Sequence, residues 1–200
     1  MHAGGEERTA RRGSCWNVSG SVYVVHEEHR LDRERSSRGA MSEGETRESL
    51  RVRRSDISSP EARALITTLN AELSARYPEQ GATHFRLDAD EVAEGRGVFL
   101  IAFVDGAPVG CGAVRRIAEG TGEIKRMFVR PEARGRGVGR ALLMTLESEA
   151  RRLGFARLLL ETGVRQTEAI ALYESAGFTS RVPFGEYAGS PLSVCMGKEL

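Results

Sequence analysis

Met127-Phe128-Val129-Arg130-Pro131-Glu132-Ala133-Arg134-Gly135-Arg136-Gly137-Val138-Gly139-Arg140-Ala141-Leu142-Leu143 is the stretch whose reading decides the fold of this chain. It joins a strand-like run, Ile124–Val129, to a helix-like run, Arg140–Leu153. Three glycines in the five positions 135–139 strip side chains from the start of a helix. Backbone N–H groups can then close around a phosphate, with the helix N-terminal field and the arginines adding attraction. The stretch implies a phosphate-bearing ligand; a flexible basic turn is the blander reading. Two other glycine loops fail on local grounds. The glycines lack the G-x-G-x-x-G spacing of a dinucleotide site, and no Gly-Lys-Ser/Thr follows them as in a nucleoside triphosphate loop.

Upstream, Val98–Val104 is a dense apolar run, Asp105-Gly106 offers a hairpin turn, and Val109–Ile117 reads as the returning strand. Glu119-Gly120-Thr121-Gly122 turns again before Glu123–Val129, so three antiparallel strands lead into the glycine loop. Earlier still, Leu50–Arg54 alternates like an edge strand. Asp56, Ser58 or Ser59 can cap a helix that has Pro60 in its first turn. Ala62, Leu65, Ile66, Leu69 and Leu73 recur at helical spacing, which predicts a helix over about 60–76. Residues 77–96 are polar and irregular, with a short helix predicted around Asp88–Glu94.

Downstream, Val138, Ala141, Leu142, Thr145, Leu146, Ala150 and Leu153 form one apolar stripe that Gly154 ends. Ala156–Glu161 reads as a strand and Thr167–Ser175 as a helix stopped by Gly177. Phe178–Phe184 and Pro191–Met196 read as two closing strands joined by a Gly/Pro-containing excursion. A meander followed by two late helical crossovers makes this an α+β mixed-sheet domain, an α/β sandwich rather than a doubly wound fold.

The two ends of the chain differ in character. Residues 1–49 are rich in Gly, Ser, Arg and Glu, with Val22–Val25 the one apolar island, and read as a disordered extension. Met41 leaves a second reading open, in which residues 1–40 come from a start codon placed too early. Residues 50–200 form a single domain long enough to bury a core unaided by metals or disulfides. A net charge of +1 with interspersed signs argues against nucleic acid as the main partner. No run approaches the roughly 20 apolar residues of a membrane span, and no signal-peptide core is present, so the cytoplasm is the expected compartment. Cys15, Cys111 and Cys195 are far apart and His84 is isolated, so neither a disulfide framework nor a metal site is expected.

With these elements in place, residues 50–197 resemble the GCN5-related N-acetyltransferases (GNAT). The resemblance rests on the stretch quoted above and on Gln166-Thr167-Glu168-Ala169-Ile170-Ala171-Leu172-Tyr173-Glu174-Ser175-Ala176-Gly177-Phe178, in this order and separated by a strand. It implies a seven-stranded mixed sheet, splayed between its fourth strand (Glu123–Val129) and fifth strand (Ala156–Glu161) to admit the pantetheine arm of acetyl-CoA. Acetyl-CoA would be the co-substrate. Its pyrophosphate would lie on the N–H groups of Arg134, Gly135, Arg136, Gly137, Val138 and Gly139, with Arg134 and Arg136 adding charge-assisted bonds. Phe128 and Val129 would pair with the pantetheine amides as a strand edge pairs with another strand. Arg140 reads equally as a solvated helix residue or a ligand contact.

The resemblance also supplies the catalytic candidates. Glu123 sits where the family often has a carboxylate and would serve as base, directly or through water; otherwise it is an exposed glutamate beside a turn. Tyr173 matches the tyrosine near the coenzyme sulfur and would give a proton to the thiolate; otherwise it is a packed helix tyrosine. Gln166 replaces the family's usual Asn and keeps a donor and an acceptor toward the coenzyme. Cys195 reads as a small buried hydrophobe, not a nucleophile. The expected activity is transfer of acetyl to the primary amine of a small molecule, with homodimerisation compatible. A protein or peptide amine as acceptor, and a non-catalytic acyl-CoA-binding domain, are the alternatives.

Overall fold

The computed structural model describes residues 49–79 and 86–200, together with the backbone of Tyr23–Val24. The predicted extension over 1–49, Cys15 and His84 otherwise lie outside the described residues. The chain order is β1 (Tyr23–Val24), β2 (Leu50–Arg54), α1 (Pro60–Arg76), β3 (Gly97–Val104), β4 (Ala107–Ala118), β5 (Thr121–Val129), α2 (Val138–Arg152), β6 (Arg157–Gly163), α3 (Thr167–Ser175), β7 (Thr179–Ser180) and β8 (Ser193–Glu199). Single 3-10 turns stand at Ala89–Val92, Pro131–Ala133 and Gly185–Tyr187. The strands form one mixed sheet in the order β1-β2-β3-β4-β5-β6-β8-β7.

Alternation along β3 explains the layering. Val98, Leu100, Ala102 and Val104 join the cluster built on α2, while Phe99, Ile101 and Phe103 join Ala62, Leu65 and Leu69 of α1 on the opposite face. Side chains of successive strand residues point to opposite faces, so a strand covered on both sides is apolar throughout. Every residue of β3 is buried. Helix α1 begins as its sequence dictates: the Ser59 hydroxyl accepts from the N–H of Ala62, and Pro60 occupies the first turn.

The sheet opens between β5 and β6. These strands pair in parallel only from Thr121–Arg157 to Ile124–Leu160. Beyond Ile124, β5 continues beside β4 alone, reaching Phe128–Cys111 and Val129–Gly110 after an irregularity between Cys111 and Ala113. Opposite that irregularity lies Arg126, a non-glycine residue at φ 60°. A bulge of this kind bends its strand and re-aims side chains. It turns β5 away from β6 and leaves a strand edge facing the gap.

Three boundaries differ from the sequence reading. Helix α2 starts at Val138, because Gly137 adopts φ 79° and serves as its N-cap. The strand expected over Phe178–Phe184 shrinks to Thr179–Ser180, since Pro183 has no N–H for a ladder and a 3-10 turn follows it. The last strand is displaced to Ser193–Glu199, where it pairs with all of β6 and lies between β6 and β7.

Candidate active site

The glycine loop forms one wall of a cleft of ≈ 430 Å³. The cleft is bordered by Phe128 and Val129 of β5, by Arg134, Gly135, Gly137, Val138, Gly139 and Arg140, and by Gln166, Leu172 and Tyr173 around α3. Arg136 does not border it. Gly135 and Gly137 take φ 74° and 79°, and no atom lies within 4 Å of where a Cβ would stand at either position. The backbone here is bare toward open space. No side chain caps α2, and its first turn carries no acidic residue, so its first-turn N–H groups are left for a ligand; Glu72 of α1 and Glu168 of α3 also border the cleft. These are features that suit a phosphate-bearing coenzyme.

Arg134 closes this mouth with weak bonds. Its Nε donates to the Val129 carbonyl at 3.0 Å, and its Nη2 pairs with Glu72 of α1 at 2.7 Å. Partly exposed pairs of this type contribute only about 0.2–1 kcal/mol. A phosphate offering charge-assisted bonds can therefore draw the guanidinium away and free the Val129 carbonyl for another donor.

A second, smaller cavity of ≈ 90 Å³ meets the first at Leu69, Met127, Gln166, Ala169 and Tyr173, which border both. Tyr173 is buried, and burial, with Glu161 nearby, raises its phenol above the ordinary value, so the group keeps its proton. Glu161, Thr162 and Tyr187 also line this cavity, as do four consecutive residues of the bulge, Ile124, Lys125, Arg126 and Met127. A regular strand would send alternate members of that run to opposite faces.

Glu123 is not among the lining residues. It is 1% exposed, and both carboxylate oxygens are engaged. Oε2 accepts from Arg115 at 2.7 and 2.8 Å, and Oε1 accepts from the Tyr187 hydroxyl at 2.7 Å. Lys125 Nζ donates to the same hydroxyl at 2.9 Å and pairs with Glu186 at 3.2 Å. Glu123 is thus neither an exposed turn residue nor in direct contact with the cavity; Tyr187 connects it to that space. Burial and Glu123 both raise the Tyr187 phenol, which stays protonated.

Lys125, Arg126, Glu161, Thr162 and Tyr187 line the candidate site without having been expected there from the sequence. Arg126 carries no local signal, because positive φ is expected of glycine and not of arginine. Tyr187 lies in the excursion whose path no periodicity reveals. Cys111 is buried against the bulge, donating to the Arg126 carbonyl at 3.4 Å, and burial pushes its thiol up to about 12. Cys195 is likewise buried and raised. Among the described residues no His, Cys, Asp and Glu cluster could hold a metal ion, and no helix is long and apolar enough to cross a membrane.

Comparison with known proteins bears on this arrangement. The profile of the Acetyltransferase (GNAT) family matches residues 63–178. A protein of Azospirillum brasilense named IAA acetyltransferase is 47% identical over 137 residues, covering 68% of this chain and 88% of its own. A provisionally assigned acyl-CoA N-acyltransferase from Klebsiella pneumoniae superposes with a TM-score of 0.64 at 35% identity, over 74% of this chain and 96% of that one. A GNAT-family acetyltransferase of Elizabethkingia anophelis, solved with acetyl-CoA bound, shares the fold with a TM-score of 0.54 at 19% identity, over 76% of this chain and 98% of the other.

Proposed function

This chain belongs to the GNAT family of acetyltransferases, and we propose that it moves the acetyl group of acetyl-CoA onto the primary amine of a small molecule. The observation that carries this reading is the meeting of the two cavities at Tyr173. A coenzyme held by the glycine loop and the β5 edge would lead its acyl end toward that junction, with the small cavity beyond it for an acceptor. The small size of that cavity supports a small acceptor, and its presence argues against a purely coenzyme-binding module. The name of the Azospirillum relative points the same way.

Bound acetyl-CoA supplies an acyl carbon whose bond to sulfur breaks as a nitrogen–carbon bond forms. The protein's own groups handle the protons. Tyr173 holds a phenolic proton at the junction, gives it to the departing sulfur, and is restored by the second proton that the nitrogen sheds as it becomes an amide. The acceptor ammonium releases its proton to Tyr187 Oη as that hydroxyl hands its own to Glu123 Oε1, 2.7 Å away. Lys125 Nζ, donating to the same oxygen, holds Tyr187 in line. Alignment of the amine and acyl carbon across the junction supplies the remaining acceleration.

A panel of amines with detection of the released thiol tests the activity. The coenzyme site is tested by Gly137→Val. Space at this position is open, but a β-branched side chain at φ 79° strains the loop and covers the bare backbone. Calorimetry should show acetyl-CoA binding lost in a folded variant; equal affinity would remove the glycine loop from the site.

A further inference from the structure

The small cavity has a charge pattern that a simple amine does not use. Arg126 is turned into it by the bulge, and Lys125 reaches it from the preceding position. Both cations are substantially desolvated. Lys125 is 7% exposed, and burial holds the Arg126 guanidinium below its ordinary value. Arg126 Nη1 donates to the neutral amide oxygen of Asn70 on α1 at 2.8 Å, which fixes the plane of its fork. Lys125 is balanced by Glu186, whereas Glu161 borders the cavity from β6. The space thus presents cationic groups on the bulge side and a carboxylate on the other.

Resting on the acetyltransferase reading above, we infer that the acceptor is an amino-carboxylic acid, its carboxylate seated on Arg126 and its amine directed toward Glu161 and the junction at Tyr173. A planar, oriented guanidinium recognises a carboxylate through paired N–H donors, and low local dielectric strengthens that bond. A lysine side chain would bring the same ammonium toward Glu161 but no carboxylate for Arg126 to recognise, so the site favours an amino acid over it. Size agrees. A volume of ≈ 90 Å³ is below the roughly 150 Å³ that encloses a benzene ring, so the amino-carboxylate head enters while a longer substituent stays outside.

The test pairs acids with amines that lack only the carboxylate: alanine and β-alanine against ethylamine, γ-aminobutyrate against propylamine, leucine against isoamylamine, and phenylalanine against phenethylamine. Each is measured by kcat/KM for thiol release and, separately, by calorimetric binding to the protein saturated with coenzyme A. At least one acid should exceed its amine by about 10- to 100-fold, the usual worth of a charged hydrogen bond. The preference should collapse toward unity in Arg126→Gln and return in part in Arg126→Lys. Acids that bind in an Arg126-dependent way without thiol release would support this inference and overturn the transferase reading. Amines turned over as well as their acids would leave the transferase reading standing and overturn the inference. Absence of binding by every acid overturns it as well.

Discussion

Tyr173 and Tyr187 are both buried phenols held above their ordinary value, yet they face different partners. Tyr173 stands where the two cavities meet, while the Tyr187 hydroxyl donates to Glu123 Oε1. A phenol raised above its usual value keeps its proton to higher pH, so neither should produce an alkaline limb in kcat below about pH 10. Tyr173→Phe preserves the ring's packing against Phe178 and should lower kcat about 10²–10⁴-fold with acetyl-CoA affinity unchanged. Glu123→Gln and Tyr187→Phe act in one series, so their losses in kcat/KM should not add in the double variant. Both losses should be greatest at low pH, where more of the acceptor is protonated. Additive losses would separate Glu123 from Tyr187. Glu123→Gln also leaves Arg115 with Glu91 as its remaining carboxylate and should cost about 3 kcal/mol, read as a fall in melting temperature.

At the scale of elements, the bulge and the partial ladder between β5 and β6 create the site. Four parallel pairs hold the strands together, and the departure after Ile124 leaves a gap for ligands. The far end of β6 is secured differently. Tyr77, just beyond α1, presses its ring on Gly163, and its hydroxyl accepts from the Arg165 N–H at 2.8 Å. A Cβ at Gly163 would collide with the Tyr77 hydroxyl and ring. Gly163→Ala should therefore destabilise the protein by about 1–3 kcal/mol in thermal melts, and by less in a Tyr77→Ala background, where both the hydroxyl and the ring are gone. Equal costs in the two backgrounds would show that the strand end yields without strain. Helix bounds were legible because caps and periodicity are local: Ser59, Pro60 and the Leu65–Leu69 spacing place α1, and Thr167–Ser175 needs only its own apolar face and Gly177. The closing strands were less legible, since their lengths follow from what β6 offers them.

For the whole molecule, the cleft is built from α1, the β5–β6 opening, the glycine loop and α3, all within residues 50–200. A chain beginning at Met41 should then keep the acetyl-CoA affinity of the full chain and melt within about 5 °C of it. It would lack β1, a two-residue strand at the sheet edge far from the opening in strand order. A larger fall would make the N-terminal segment a structural part of the domain. The sequence by itself determined the family, the alternation of strands and helices and the bare glycine backbone ahead of α2, because glycine spacing, caps and apolar periodicity act over a few residues. Only the tertiary structure decided that Glu123 stands behind Tyr187 and that Lys125 and Arg126 share one cavity. Those relations depend on a bulge at a non-glycine residue and on contacts between positions about 60 apart in the chain, such as Glu123 with Tyr187 and Arg126 with Asn70. Local propensity does not encode them; packing of the sheet against its helices does.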